Sequence, residues 1–332
     1  MTTKTVPQAR AAIPATMRAA AIDRAGGPEV FSVHSLPVPV PGEHAILIAV
    51  DTAGVAKWDA DIRGGWSPSN EPLRYPLVLG TDGSGTVAAL GSRVRRFELG
   101  EPVYGFSWDT TKGGFYAEYV AVAADNAAAV PKPLDMVQAG AAPASGLTAL
   151  QGVDDALHVK ADEALIIYGA SGGLGTLAVQ FAKLRRARVL AIGSGQDGVA
   201  LVRSLGADEA VDGHSGDVAA VIHRFAPDGV DAVLGLAGGE VLELCITSLR
   251  DGGRLAYPNG IDPAPKKRRS IETTPYDGVP GVKQFEHLSR AIEQGRVRVP
   301  IAAEYALADA AKAHERLARG HIVGKVVLRA QR

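Results

Sequence analysis

The run Gly169-Ala170-Ser171-Gly172-Gly173-Leu174-Gly175 has the residue types that most narrowly define a chemistry. It follows an apolar strand pattern at 164–168 and opens helical spacing over 175–183, with Leu177, Ala178 and Phe181 on one face. Small residues let the backbone turn tightly and approach a diphosphate. A helix N-terminus adds unpaired N–H groups and the positive end of a dipole. As a bare string the motif is weak, because Ala170 stands where the usual fingerprint has glycine. The strand before it and the helix after it supply the required context. Ala170, Ser171, Gly172, Gly173, Leu174 and Gly175 are therefore expected to hold a dinucleotide, against the alternative of a turn that only packs.

The next strand ends in Ile192-Gly193-Ser194-Gly195, with no acid at its end. An acid there would bind the ribose hydroxyls and repel a 2′-phosphate. Ser194 is expected at this position in the cofactor site, and NADPH is expected over NADH. Asp197 lies close enough to favour NADH instead. A later strand runs into Leu236, Ala237 and Gly238, where the glycine allows the backbone near the cofactor. A second group of chemical interest is Lys57-Trp58-Asp59 with Trp66. Lys57 offers a proton or a positive charge for a developing enolate, or else pairs with Asp59 or Asp61 at the surface. Trp58 and Trp66 offer faces for a flat ring, or ordinary packing.

The elements behind these residues change character along the chain. Residues 17–137 are β-rich, with short apolar runs at 18–22, 45–50, 85–90 and 116–122 separated by Pro and Gly. From 138 to 296 strands and helices alternate, which argues for a parallel sheet covered on both faces. Residues 297–332 hold a helix and an apolar strand, and are expected to return to the first domain. The first sixteen residues, rich in Thr, Ala and Pro, read as a disordered tail.

The 332 residues are 46% hydrophobic and 21% charged, with a net charge of -1. That balance gives no footprint for nucleic acid, and no apolar run is long enough to span a bilayer. The lone Cys245 excludes an internal disulfide and a multi-cysteine zinc site, and suits a reducing, cytoplasmic setting. Its apolar neighbours read as a buried helix face.

Four motifs in order resemble the zinc-free, quinone oxidoreductase (zeta-crystallin-like) branch of the medium-chain dehydrogenase/reductase superfamily. They are Leu79-Gly80-Thr81-Asp82-Gly83-Ser84-Gly85-Thr86-Val87, Ser145-Gly146-Leu147-Thr148-Ala149, the glycine turn, and His321-Ile322-Val323-Gly324-Lys325-Val326-Val327-Leu328. The resemblance implies an α/β fold: a GroES-like β-rich catalytic domain with an inserted Rossmann domain, a doubly wound parallel sheet. It implies an active site between the two, Thr148 and Asn259 beside the nicotinamide, Asp59 as a matching site residue, and a homodimer. Zinc-dependent relatives keep cysteines and a His–Glu pair where this chain has Ala56, Thr81-Asp82 and Ala144 or Ser145, so no catalytic zinc is expected. The expected function is hydride transfer from NADPH to an electron-poor acceptor, foremost a quinone. Reduction of an enone or enoyl double bond is one alternative, and a non-catalytic NADPH-binding protein is another.

Overall fold

In the computed structural model the described residues are 13–68, 71–108, 113–266 and 268–330. The expected tail falls largely on residues 1–12, outside them. Thr16 already begins the first strand.

The alternating half builds one sheet of six parallel strands. Across the sheet lie Glu209–Asp212, Arg188–Gly193, Ala164–Tyr168, Val230–Gly235, Leu249–Pro258 and Glu272–Tyr276. In chain order this is 3-2-1-4-5-6, the dinucleotide-binding arrangement whose topology reverses beside the first strand. Leu165, Ile166 and Ile167 are fully buried because helices cover both faces of the sheet. The helix Val282–Gly295 escapes a reading that follows glycine turns. Its Phe285, Leu288, Ala291 and Ile292 form a buried stripe at helical spacing, which is the signal that reveals it. The outermost strand Glu272–Tyr276 leaves one sheet edge without a strand neighbour among the described residues.

The β-rich half centres on the strand Ala45–Val55, longer than the expected 45–50. Its first half pairs with Tyr119–Ala123 and its second with Lys325–Arg329, while Asp82–Leu90 flanks it on the other side. The chain thus returns from the parallel-sheet domain to fill an interior place in this seven-stranded sheet. A small sheet of Phe31–Pro37, Thr16–Ile22 and Leu77–Val78 packs beside it. The returning strand also touches the glycine turn. Gly324 N–H donates to the Ser171 carbonyl at 2.9 Å, and Gly172 and Gly324 form a β-bridge. No described helix is long and apolar enough to cross a membrane.

Candidate active site

The glycine turn is pinned before any ligand arrives. The N–H groups of Gly169 and Ala170 both donate to the Ile192 carbonyl, at 3.1 and 3.0 Å. Ser171 Oγ accepts from Ser194 N–H at 3.0 Å, tying the turn to the end of the second strand. Gly169 sits at φ +81°, in the left-handed region, and Gly172 precedes the helix Gly173–Leu184 with no side chain capping it. The first N–H groups of that helix are left for a ligand. Leu236, Ala237, Gly238 and Asn259 follow the fourth and fifth strands, at the same carboxyl edge of the sheet. Asn259 Nδ2 donates to Asp277 at 2.8 Å. Thr148 is buried, and its hydroxyl donates to the Ala144 carbonyl at 2.8 Å.

Ser194 carries more than its motif suggested. Its Oγ meets His321 Nδ1 at 2.9 Å, and His321 Nε2 meets Asp197 Oδ2 at 3.1 Å. An acid does serve this strand end from the next strand over. The Asp212 carboxylate accepts from His214 N–H, Ser215 Oγ and Gly195 N–H, and these donors hold it down to about 2. Its side chain is spent on two backbone N–H groups and the Ser215 hydroxyl.

The opposite wall is the helix Lys57–Arg63. Trp58 Nε1 donates to Thr81 Oγ1 at 2.6 Å, which orients the indole. Trp58 and Trp66 both meet Trp108 edge-on, at centroid distances of 5.8 and 6.5 Å. Trp108, absent from the expected set, is thus the centre of an aromatic wall. Of the two readings of Lys57, the structure shows the surface pair with Asp61. The lysine faces solvent with 70% of its side chain exposed and pairs with Asp61 at 3.0 Å, one helical turn on.

Asp59, two residues later, faces inward and is fully buried. Its Oδ2 accepts from Ala56 N–H at 2.9 Å, and its Oδ1 has no hydrogen-bond partner among the described residues. Burial, and then the neighbouring Asp82 carboxyl, push Asp59 up to about 7. Asp82 is also buried and is raised for the same first reason. Lys325 and the Ala144 N–H, 3.1 Å from Oδ2, oppose that rise.

Behind Asp59 runs a polar chain. The Tyr116 hydroxyl, raised by burial and then by the Asp59 and Asp82 carboxylates, lies 3.1 Å from His314 Nε2, while His314 Nδ1 lies 2.8 Å from Arg63 Nη1. Arginine only donates, so Nδ1 accepts and the neutral ring carries its proton on Nε2. That proton points to Tyr116, whose own hydrogen is left to face Asp59. Burial and the Arg63 charge push His314 down to about 3, which keeps the ring neutral. We expect His314→Ala to strip partners from both Tyr116 and Arg63 and to destabilise the fold by about 1–3 kcal/mol, read by denaturant unfolding.

The positions where zinc-dependent relatives hold metal carry Ala56, Thr81, Asp82, Ala144 and Ser145. Thr81 Oγ1 is engaged by Trp58, and no cluster of three or more His, Cys, Asp or Glu among the described residues could hold a metal. Cys245 is buried in the parallel-sheet core, where burial raises its thiol to about 12.

A glycine turn at the switch point of a 3-2-1-4-5-6 sheet, joined to a β-rich domain by a returning strand, defines a medium-chain dehydrogenase/reductase. The model of the alcohol dehydrogenase GroES-like domain matches residues 42–132, and that of the zinc-binding dehydrogenase domain matches 205–328. A quinone oxidoreductase of Lama guanicoe is 32% identical over 94% of this chain and 97% of its own. Among solved structures, an NAD-dependent alcohol dehydrogenase is 30% identical, with a TM-score of 0.85 over 94% of this chain and 99% of that one. A mycobacterial protein complexed with NADPH is 28% identical, with a TM-score of 0.82 over 94% and 99%. The chain belongs to the quinone oxidoreductase family of oxidoreductases.

Proposed function

We propose that the protein transfers hydride from NADPH to an electron-poor acceptor, foremost a quinone, without zinc. The observation that carries this reading is that one residue, Lys325, lies beside the uncapped helix start at Gly173 and acts on the buried acid pair Asp59 and Asp82. The residues fit the cofactor. The uncapped helix start at Gly173 offers N–H groups to a diphosphate, Ser194 with His321 stands at the ribose end, and Leu236–Gly238 and Asn259 line the carboxyl edge of the sheet. The bound nicotinamide would supply the hydride. The donor set does not fit zinc: Ala56 and Ala144 have no ligand atom, and Thr81 and Ser145 offer only hydroxyls.

The remaining chemistry falls to this chain. Trp58, Trp66 and Trp108 give a flat acceptor a wall to lie against. Asp59, held near neutrality, keeps a proton within the protein at working pH, and the Tyr116–His314 chain orders its surroundings. The same proton favours a second acceptor class. An enone reduced at carbon needs a proton there, and a buried carboxylic acid is suited to give it. The NAD-dependent relative and the nearby Asp197 keep NADH as the competing cofactor. We also propose a homodimer through the open edge at Glu272–Tyr276.

The test is fluorescence titration of NADPH and NADH, followed by turnover on quinones, enones and simple alcohols with and without a chelator. The expected result is tighter NADPH binding and chelator-insensitive reduction of quinones. Preference for NADH overturns the cofactor, alcohol oxidation lost to chelator overturns the zinc-free reading, and binding without turnover on any acceptor leaves a non-catalytic binding protein.

A further inference from the structure

Few large apolar side chains among the described residues are well exposed to water, and two of them are Trp66 and Val279, each 50% exposed. Exposed apolar residues scattered singly need no explanation. These two are joined. The Trp108 ring meets Trp66 edge-on at 6.5 Å, and Trp108 Nε1 lies 3.5 Å from the carbonyl oxygen of Gly278, the residue before Val279. One indole of the β-rich half thus touches an exposed ring of its own half and the segment of the parallel-sheet half that carries Val279. Together they make an apolar collar at the outer end of the tryptophan wall.

Both side chains are carried on fixed backbone. Trp66 follows the helix Lys57–Arg63 through a tight turn in which Gly65 takes φ +110°. Gly65 N–H donates to the Ile62 carbonyl at 2.9 Å, and Trp66 N–H donates to the Asp61 carbonyl at 3.0 Å. Val279 follows the outermost strand Glu272–Tyr276, and the Gln151 side chain clasps it twice. Gln151 Nε2 donates to the Val279 carbonyl at 2.8 Å, and Val279 N–H donates to Gln151 Oε1 at 3.1 Å. Gly278 is pressed onto Thr148: a β-carbon there would lie 2.2 Å from the Thr148 hydroxyl oxygen. The collar therefore runs outward from the residue that the family resemblance sets beside the nicotinamide. Holding both side chains in place removes ordering that a ligand would otherwise have to impose. Charged residues close by in the chain are already engaged. Lys57 pairs with Asp61 at 3.0 Å, and Asp277 accepts from Asn259 at 2.8 Å. The recognition left to the collar is apolar.

We propose that the collar takes an apolar chain attached to the acceptor. The electron-poor ring or enone lies inside the cleft, and an alkyl or prenyl substituent leaves it over Trp66 and Val279. The assignment rests on the hydride-transfer reading above and adds to it the part of the acceptor that does not react. Trp66 and Val279 are then specificity-determining residues: they favour tailed acceptors over small ones that carry the same reacting group. Because the chain lies outside the reacting centre, its contacts are the same before and during hydride transfer. They strengthen binding without speeding the chemical step.

The test uses the full chain with NADPH and two acceptor pairs, each pair sharing one reacting group: ubiquinone-0 with decylubiquinone, and 3-penten-2-one with 3-nonen-2-one. In whichever pair is turned over, the longer member is expected to show a KM about tenfold lower at similar kcat. Trp66→Ala and Val279→Asp are each expected to bring that ratio within about twofold of one. Both side chains are half exposed, so thermal unfolding of the two variants is expected to match wild type. Binding is read separately. All three tryptophans of the chain stand at this wall, so decylubiquinone bound to the NADP⁺-loaded protein is expected to quench their fluorescence. Val279→Asp is expected to weaken that binding about tenfold. Equal KM for both members of a pair, or a ratio that neither substitution moves, overturns the proposal and leaves hydride transfer standing. Turnover of neither pair overturns the acceptor reading instead. The quenching then decides the collar: binding that depends on Val279 upholds it, and binding indifferent to Val279, or none, overturns it. A Val279→Asp chain whose oligomeric state changes in sedimentation while its KM ratio does not assigns the collar to a second copy of the chain, which also overturns the proposal.

Discussion

Replacing Gly175 with alanine is expected to abolish dinucleotide binding and to destabilise the protein by about 3 kcal/mol. The added methyl would lie 2.3 Å from the Gly169 carbonyl oxygen and 2.5 and 2.7 Å from Ala170 Cα and C. All three are backbone atoms, and the turn they belong to is held by two hydrogen bonds to Ile192. No flexible side chain can move aside, so either the helix lifts from the strand or the turn reshapes. Both outcomes misplace the N–H groups at the helix start. Thermal unfolding and NADPH titration of the same sample check the two effects together. Gly42→Ala is the control: its β-carbon meets nothing within 4 Å, and neither property should change. A Gly175→Ala variant that binds NADPH like wild type would mean the turn does not contact the cofactor.

The second large effect concerns Asp59, where stability and activity should move apart. Its carboxyl titrates near 7 in the folded chain against 3.8 for an ordinary Asp, so the folded state keeps a proton that the unfolded state releases between those values. A raised carboxyl makes the native state weaker as pH climbs. Stability is greatest below about 4, falls through the window to about 7, and is level above it. The span corresponds to roughly 4 kcal/mol at 1.36 kcal/mol per unit. Asp59→Asn cannot ionise, so its unfolding free energy should lose that slope and match or exceed wild type at pH 8. Turnover should fall by about 10²–10³-fold, and the descending limb of the wild-type rate above pH 7 should vanish. Retained turnover would assign the proton to solvent. An unaltered pH–stability slope would place the titration elsewhere.

What the sequence made legible was local. The strand Ala164–Tyr168 and the helix Val218–Phe225 lie where their patterns put them, because alternation of apolar runs with glycine stops is a short-range property. The glycine turn was readable because backbone chemistry needs its residues in one contiguous string. The polar chain behind Asp59 was not. Arg63 and His314 are separated by 251 positions, and Tyr116 and His314 by 198, so only the sheet pairing brings them together. Lys57 and Asp59 stand two residues apart in one helix. Their types alone do not say which faces water, and the fold answers that the lysine does. Lys325 stood within the fourth motif, but nothing nearby in the chain marks its side chain as running beside the glycine turn. Trp108 joined the aromatic wall for the same reason.

The returning strand has a consequence for biosynthesis. Lys325–Arg329 occupies an interior place in the β-rich sheet, yet it leaves the ribosome after every other strand described. Until then the second half of Ala45–Val55 lacks one of its two neighbours and offers open hydrogen-bonding groups to any passing chain. The parallel-sheet domain has all its strands earlier and is free to fold first. Arrival of Gly324 and Lys325 then closes the sheet and completes the glycine turn in the same step. A nascent chain stopped short of Gly324 would therefore carry an open sheet and an incomplete turn together, which marks it for chaperones and proteases rather than leaving a half-active enzyme.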